Sequence, residues 1–408
     1  MSRTEVSFET LFAVPARNGV YKPKEFHGTG IRIVNMGEMF GYDFISDQEM
    51  NKLELNDNEL VANSLEDGDL LFGRRSLVEA GAGKCSIVVK PTEPLTFESS
   101  IIRVRVVKNV VNPRFLYYFF RSPEGRGRTR SIVSGTNVKG IRGSDLKRLQ
   151  VPCPPRNIQD GIASILSAYD DLTENNRRRI ALLEESAREL YREWFVQLRF
   201  PGYENTRIVD GLPRGWKKIR MEDVCESVGG GTPSTTNPAY WEGGTITWVI
   251  PSDITKNDCL VLLDSEKKIT EEGYRNSSAK MVPAETILMT SRASVGFFGL
   301  IDKQVCTNQG FISIIPYQDG FRMYLLHNLM NRREEILLRA GGATYKEINK
   351  STFRGMEIVI PDSKVLLPFQ KFAYDCIRQT RLLKKQNALL IEARDILLPK
   401  LMSGEIEV

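Results

Sequence analysis

Three stretches of the chain place reactive residue types at spacings that chemistry uses. Gly81-Ala82-Gly83-Lys84-Cys85-Ser86 has the glycines and lysine of a phosphate-binding loop. The leading glycine of that motif would fall on Val78, and Cys85 stands where a Ser or Thr binds magnesium. An apolar strand rather than a helix follows, so the helix dipole that holds a phosphate is missing. Asn237-Pro238-Ala239-Tyr240 has the shape of an amine-methylating Asn-Pro-Pro-Tyr motif with one proline lost. That motif must end a buried strand, yet Thr232-Pro233-Ser234-Thr235-Thr236 precedes it, and the Gly229-Gly230-Gly231 run lacks the aromatic and acidic neighbours of an AdoMet loop; the stretch reads as a turn. Asp253 with Glu266-Lys267-Lys268 gives a loose nuclease pattern that has no counterpart in the first half and reads as a solvated charge run.

Hydrolytic and metal chemistry find no better support. His27 and His327 are the two histidines, each without a nearby ligand partner, so neither a nucleophile–base pair nor a metal site can be assembled. The six cysteines, Cys85, Cys153, Cys225, Cys259, Cys306 and Cys376, are scattered without a CxxC pair, as buried thiols in a reducing compartment would be. With 408 residues, 41% hydrophobic and 26% charged, the chain has material for two globular domains and connecting elements. It shows no signal peptide and no membrane-length apolar run, which predicts a cytoplasmic location and no membrane partner. A net charge of +5 permits nucleic-acid binding without requiring it.

What organises these residues is an internal repeat. Residues from about Asn112 to Phe195 overlay Asp319 to Met402 at one offset of 207, that of Gly135 to Gly342 and of Glu185 to Glu392. Tyr117 and Tyr324, Lys139 and Lys346, Ile141 and Ile348, Ser144 and Ser351, and Pro154 and Pro361 match without a gap. A chain built from two similar halves has pseudo-two-fold symmetry and suits a target that also has two halves. Each half opens with a mixed segment. Gly30–Val34, Asp69–Phe72 and Ser86–Val89 read as strands in the first, and Thr245–Ile250, Thr286–Met289 and Phe311–Ile315 in the second.

Each half closes on a long helix. Apolar residues recur at steps of three and four through Ile158, Ile162, Ile165, Tyr169, Leu172, Ile180, Leu183, Ala187, Leu190 and Trp194. The second copy runs Leu366, Phe369, Ala373, Cys376, Thr380, Leu383, Asn387, Leu390, Leu397, Leu401. This spacing is the coiled-coil signature, and forty residues of helix reach about 60 Å. Equivalent helices in a pseudo-symmetric chain pair antiparallel, with Asn176 and Asn387 in or beside the seam, where a polar residue fixes register. Trp194 and Phe195 are read either as a partner dock or as core. Pro201-Gly202 and Asp210–Trp216 mark the start of the second half.

Gly229-Gly230-Gly231-Thr232-Pro233-Ser234-Thr235, then Tyr240-Trp241 and Ile246–Val249, and the closing Leu397-Leu398-Pro399-Lys400-Leu401-Met402-Ser403-Gly404-Glu405-Ile406, together with the tandem arrangement, resemble the specificity (S) subunit of type I restriction–modification enzymes. The resemblance spans essentially the whole chain. It implies an α/β (α+β) protein with two pseudo-symmetric target recognition domains of mixed twisted sheets, separated by two long helices in an antiparallel coiled coil. The corresponding division is residues 1–156 and 201–362 for the recognition domains, 157–200 and 363–402 for the spacer helices, and 403–408 for a tail. It implies a non-catalytic subunit that reads a split, asymmetric site on double-stranded DNA. Two adenine-methylating subunits would dock on it, and ATP-driven restriction/translocase subunits can join; AdoMet, ATP and Mg then belong to those partners and no cofactor to this chain. The first half lacks the Leu-Pro-x-Gly-Trp entry and the Gly-Gly-Thr-Pro-Ser run, so the two domains are expected to read different sequences.

A DNA reader needs cations for phosphates and polar side chains for base edges. The loop Gly135–Arg142 and its copy Gly342–Ile348 carry a lysine at the same place, which makes Lys139 and Lys346 candidate phosphate contacts; Thr136, Asn137, Arg142, Thr344 and Tyr345 lie in the same loops. Arg74 and Arg75, with the equivalent Arg292, follow matching strands and form a second set, and Thr232 and Ser234 lie in a variable stretch suited to base contacts. Two rival readings are a coiled-coil scaffold that joins proteins without touching DNA and a fused enzyme with chemistry of its own; the broken motifs count against the latter.

Overall fold

The computed structural model describes residues 4–342 and 346–408. Contacts divide the chain into two units, Met1–Leu172 with Leu390–Val408, and Thr173–Leu389, so each unit takes a share of both long helices.

In the first unit a five-stranded sheet has the order Arg17–Asn18, Ile101–Val104, Leu70–Gly73, Cys85–Val88, Phe44–Ile45, antiparallel except for the last pair. A second sheet sets Lys52–Leu53 against His27–Val34, which runs parallel to Leu95–Phe97. Leu70, Leu71 and Phe72 are all fully buried because both faces of their strand are covered. Leu70 and Phe72 point into a core with the aromatic helix Pro113–Arg121, whereas Leu71 joins a separate core with Val34, Leu95 and Phe97. Alternation along a strand produces this division. The helix itself starts where Asn112 accepts hydrogen bonds from the Arg114 and Phe115 amides ahead of Pro113. It buries Phe115 to Phe120 completely. Truncating one such aromatic to Ala typically costs about 3–5 kcal/mol.

The second unit repeats the plan. Its four-stranded antiparallel sheet has the order Cys225–Gly229, Phe311–Pro316, Ile287–Thr290, Phe298–Leu300. A second sheet carries Ile246–Val249 parallel to Val305–Thr307. Ile287 and Met289 face the core with helix Arg322–Asn331, and Leu288 faces the opposite core. In each unit an entry strand pairs antiparallel with the strand that leads into a long helix: Glu5–Ser7 with Gln150–Pro152, and Lys217–Arg220 with Glu357–Ile360.

The long helices are Arg156–Tyr191, of 36 residues and continued by a π turn at Arg192–Val196, and Ser363–Ser403, of 41 residues. At 1.5 Å per residue they are about 54 and 61 Å long. Within the second unit they run antiparallel: Tyr191 meets Phe369, with ring centroids 5.9 Å apart, and Asn176 donates to Asn387 Oδ1 at 2.9 Å. Within the first unit the same direction holds, since Ile162 and Leu166 share a core with Leu398 and Leu401, while Arg394 pairs with Asp170. The second helix buries the predicted positions from Leu366 to Asn387. The first helix departs from its predicted series: Ile165 and Leu172 are exposed, and the seam passes through Leu166, Asp170, Thr173 and Asn176. Trp194 and Phe195 are half-buried against Phe369, so they serve the core.

Candidate nucleic-acid interface

In the first unit the loop 135–139 is closed at its base by reciprocal backbone hydrogen bonds between Ser134 and Gly140, both 2.9 Å. Gly135 has φ +103° there, and a Cβ at that position would stand 2.2 Å from the Val138 carbonyl oxygen, so only glycine fits the turn. Lys139 and Gly140 then pair antiparallel with Ser76 and Arg75. The Ile141 amide donates to the Arg74 carbonyl at 3.0 Å, and the buried Ile141 side chain anchors the junction.

The result is an open groove of about 650 Å³ lined by Arg74, Arg75, Arg142 and Lys147, with Asn18 and Ser144 among its polar walls and no acidic residue. Arg74 is pinned by an Nη1 hydrogen bond to the Ser99 carbonyl at 3.1 Å. Among the described residues the side chains of Arg75, Lys139, Arg142 and Lys147 have no ion-pair or hydrogen-bond partner. A groove that concentrates cations without carboxylates raises the local concentration of anions and suits a polyanion backbone. Lys139 sits on the strand beside the groove, and Thr136 and Asn137 form the exposed tip. Lys147 and Asn18 escaped the sequence reading. Arg354, the counterpart of Lys147 at the repeat offset, is the signal that could have found the first of them.

The second unit makes the same closing backbone bonds between residues with different side chains. Gly341 and Glu347 exchange backbone hydrogen bonds of 3.0 and 2.8 Å, the Ile348 amide donates to Ser291 at 3.0 Å, and Arg292 bridges to Glu347 as Arg75 does to Gly140. Arg292 is therefore the structural equivalent of Arg75, and Ser291 stands where Arg74 does. Lys346 is exposed, its carbonyl accepting from the Ala293 amide at 2.9 Å. Thr344 and Tyr345 lie outside the described residues. Thr232 comes to the same end of the unit: its hydroxyl bonds the Gln309 side chain, and the next carbonyl, of Gly310, accepts from the Ser291 amide at 2.8 Å. Ser234, two residues on, is bonded to Thr236 at 2.8 Å and belongs to the turn.

The three motifs that suggested chemistry have structural duties. Gly230 and Gly231 lie against the Thr307 and Asn308 carbonyls and Ser278, where a Cβ would approach to 2.2 and 2.3 Å. They are a close-packing device. Asn237 caps its own turn through the Ala239 amide at 3.1 Å. Asp253 accepts from the Ile250 amide at 2.9 Å and the Ser265 hydroxyl at 2.8 Å, which uses it as a helix cap. Lys84 reaches toward Asp43, 3.8 Å away, and over the Phe40 ring, and burial pushes the Cys85 thiol far above its ordinary range. Among the described residues no helix is long and apolar enough to cross a membrane.

Two mixed α/β units, each with a hairpin that offers cations and a share of both long helices, define a tandem-repeat α/β protein. The family model for the type I restriction modification DNA specificity domain matches residues 31–185 and again 213–387, and the chain belongs to that family. It is similar to the MjaIX specificity subunit of Methanocaldococcus jannaschii, a type I restriction enzyme component, at 25% identity over 95% of this chain and 89% of the relative. It is also similar to the HindI specificity subunit of Haemophilus influenzae, at 23% identity over 91% of this chain and 94% of that one. Its fold matches the crystal structure of a type I restriction–modification S subunit from M. genitalium, with a TM-score of 0.62 at 15% identity, covering 98% of this chain and 96% of the other.

Proposed function

We propose that this specificity chain reads a split, asymmetric site on double-stranded DNA, one half-site with each unit, and that the paired helices set the distance between the halves. Half-sites one DNA turn apart are about 34 Å from each other along the duplex, which is within the reach of helices of this length. In this reading two adenine-methylating subunits dock on the chain, restriction/translocase subunits join them, and the AdoMet, ATP and Mg chemistry resides there. The chain itself supplies no reacting group.

The single observation that carries the DNA-facing role is the carboxylate-free groove with Arg74, Arg75, Arg142 and Lys147. Phosphate contacts of this kind position a protein on the duplex, while the variable side chains at the hairpins and near Thr232 supply sequence choice. Salt dependence tests it. The assembled complex should lose DNA affinity steeply with salt, and changing Arg75, Arg142 and Lys147 together to Ala should reduce the log–log slope by about 3. A complex that stays assembled but shows no affinity for DNA would favour the protein-scaffold reading.

A further inference from the structure

The two hairpins close on equivalent backbone hydrogen bonds, and where the first has Gly140 the second has a carboxylate, Glu347. In the first unit Gly140 lies opposite Arg75, and a Cβ there would come within 2.7 Å of the Arg74 carbonyl oxygen, so Arg75 has no side chain beside it from that strand. In the second unit Glu347 lies opposite Arg292. The Arg292 Nε stands 3.6 Å from Glu347 Oε2, with both side chains about half exposed, at 51% and 47%. That distance is an ion pair rather than a hydrogen bond. The contact falls on Nε, which leaves the two terminal amino groups of Arg292 and the second carboxylate oxygen for outside partners. Next to them Ala293 holds φ +60°, a left-handed conformation costly for a residue with a Cβ, and its N–H donates a hydrogen bond to the Lys346 carbonyl.

A carboxylate is the wrong group for a phosphate contact, since it repels the backbone that its neighbours Lys346 and Lys350 would attract. It is the right group for one base edge. In the major groove cytosine presents its N4 amino group as a donor, which Glu accepts, and the paired guanine presents O6 and N7 to an arginine fork. One G·C pair offers both edges side by side, and so does this ion pair.

We propose, resting on the DNA-reading role above, that Arg292 and Glu347 together read one G·C pair in the half-site of the second unit, Arg292 on guanine and Glu347 on cytosine. The first unit, with Arg75 alone, makes no equivalent carboxylate contact. The carboxylate thus distinguishes the second hairpin from the first.

The test uses the complete complex with its methyltransferase subunits, with methylated adenines mapped genome-wide for the wild type, Glu347→Ala and Arg292→Lys. Both variants should keep the first half-site and lose discrimination at a single G·C position of the second by about tenfold or more. Without any mutation, placing 7-deazaguanine at each guanine of the second half-site should weaken wild-type binding at one position by a similar factor. A normal split motif with no position sensitive to either variant or to the base analogue overturns the pair alone. Loss of methylation everywhere in an assembled variant overturns it too, because a base reader leaves phosphate binding intact. A wild-type complex with no split motif overturns the DNA-reading role and the pair with it.

Discussion

Lys139 and Lys346 occupy one position of two equivalent hairpins, and what they are expected to do is non-specific. Changing both to Ala should weaken DNA binding about equally for all sequences and lower the salt slope by about 2 in a titration of the complex. Unchanged affinity would remove both from the interface. His327 makes a prediction of the opposite kind, about stability alone. It is buried in the second unit against Tyr191, with ring centroids 6.0 Å apart, and among the described residues neither ring nitrogen has a hydrogen-bond partner. Burial, with Arg188 nearby, lowers its pKa from 6.5 to about 4. Between those values the unfolded chain binds a proton that the folded chain refuses, so stability falls as pH drops from about 6.5 towards about 4, by up to roughly 3 kcal/mol. In thermal melts His327→Leu should flatten that slope; an unchanged slope would mean the ring accepts its proton in the fold.

The elements show how far sequence pattern carries. The six strands expected from apolar runs are all present, because runs such as Leu70–Phe72 and Ile287–Met289 are buried on two faces and leave no other reading. The second long helix kept its predicted face from Leu366 to Asn387, where the seam is mostly apolar; beyond it Leu390 and Leu397 are only half-buried, and Arg394 and Leu398 are buried instead. The first did not near Ile165 and Leu172, since the buried position there is Asp170. Its charge is tolerable only because Arg394 and the Tyr118 hydroxyl, the latter at 2.6 Å, partner it from distant sequence. Alanine at Asp170 should therefore cost about 1.5–3 kcal/mol in denaturant unfolding, by leaving the Tyr118 hydroxyl unpaired and Arg394 with only the exposed Asp395, whereas a loss below about 0.5 kcal/mol would show that Asp395 and water satisfy the arginine. Asn176 and Asn387 were legible as seam residues, being polar breaks in an apolar period. Among the described residues Asn176 Oδ1 has no hydrogen-bond partner, as expected of a pair kept for register rather than stability. Replacing both by Leu should raise the melting temperature, while Asn176→Leu alone should lower it by leaving the buried Asn387 Oδ1 without its donor.

At the scale of the molecule, the repeat is larger than sequence identity revealed. The gapless overlay begins near Asn112, yet the strands shared by the two units before it keep the same order, although the first unit adds Phe44–Ile45 and the second Met281–Val282. Insertions hide this: Arg74 matches Ser291 at a distance of 217 (291 − 74), Ser100 matches Gly310 at 210 (310 − 100), and only later does the offset settle at 207. The cation groove was half legible for the same reason. Arg74, Arg75 and Arg142 stand out as charges beside glycines, while Lys147 lies on a helix and Asn18 on a two-residue strand that no local pattern brings near them. The central claim is that this chain alone decides which DNA the complex marks. Its most direct test is to co-express it with an adenine methyltransferase subunit of its own system and map methylated adenines by single-molecule sequencing. The account predicts a split, asymmetric motif that appears only when both proteins are present. Methylation without this chain, or a soluble complex of the two that marks no motif, would contradict it.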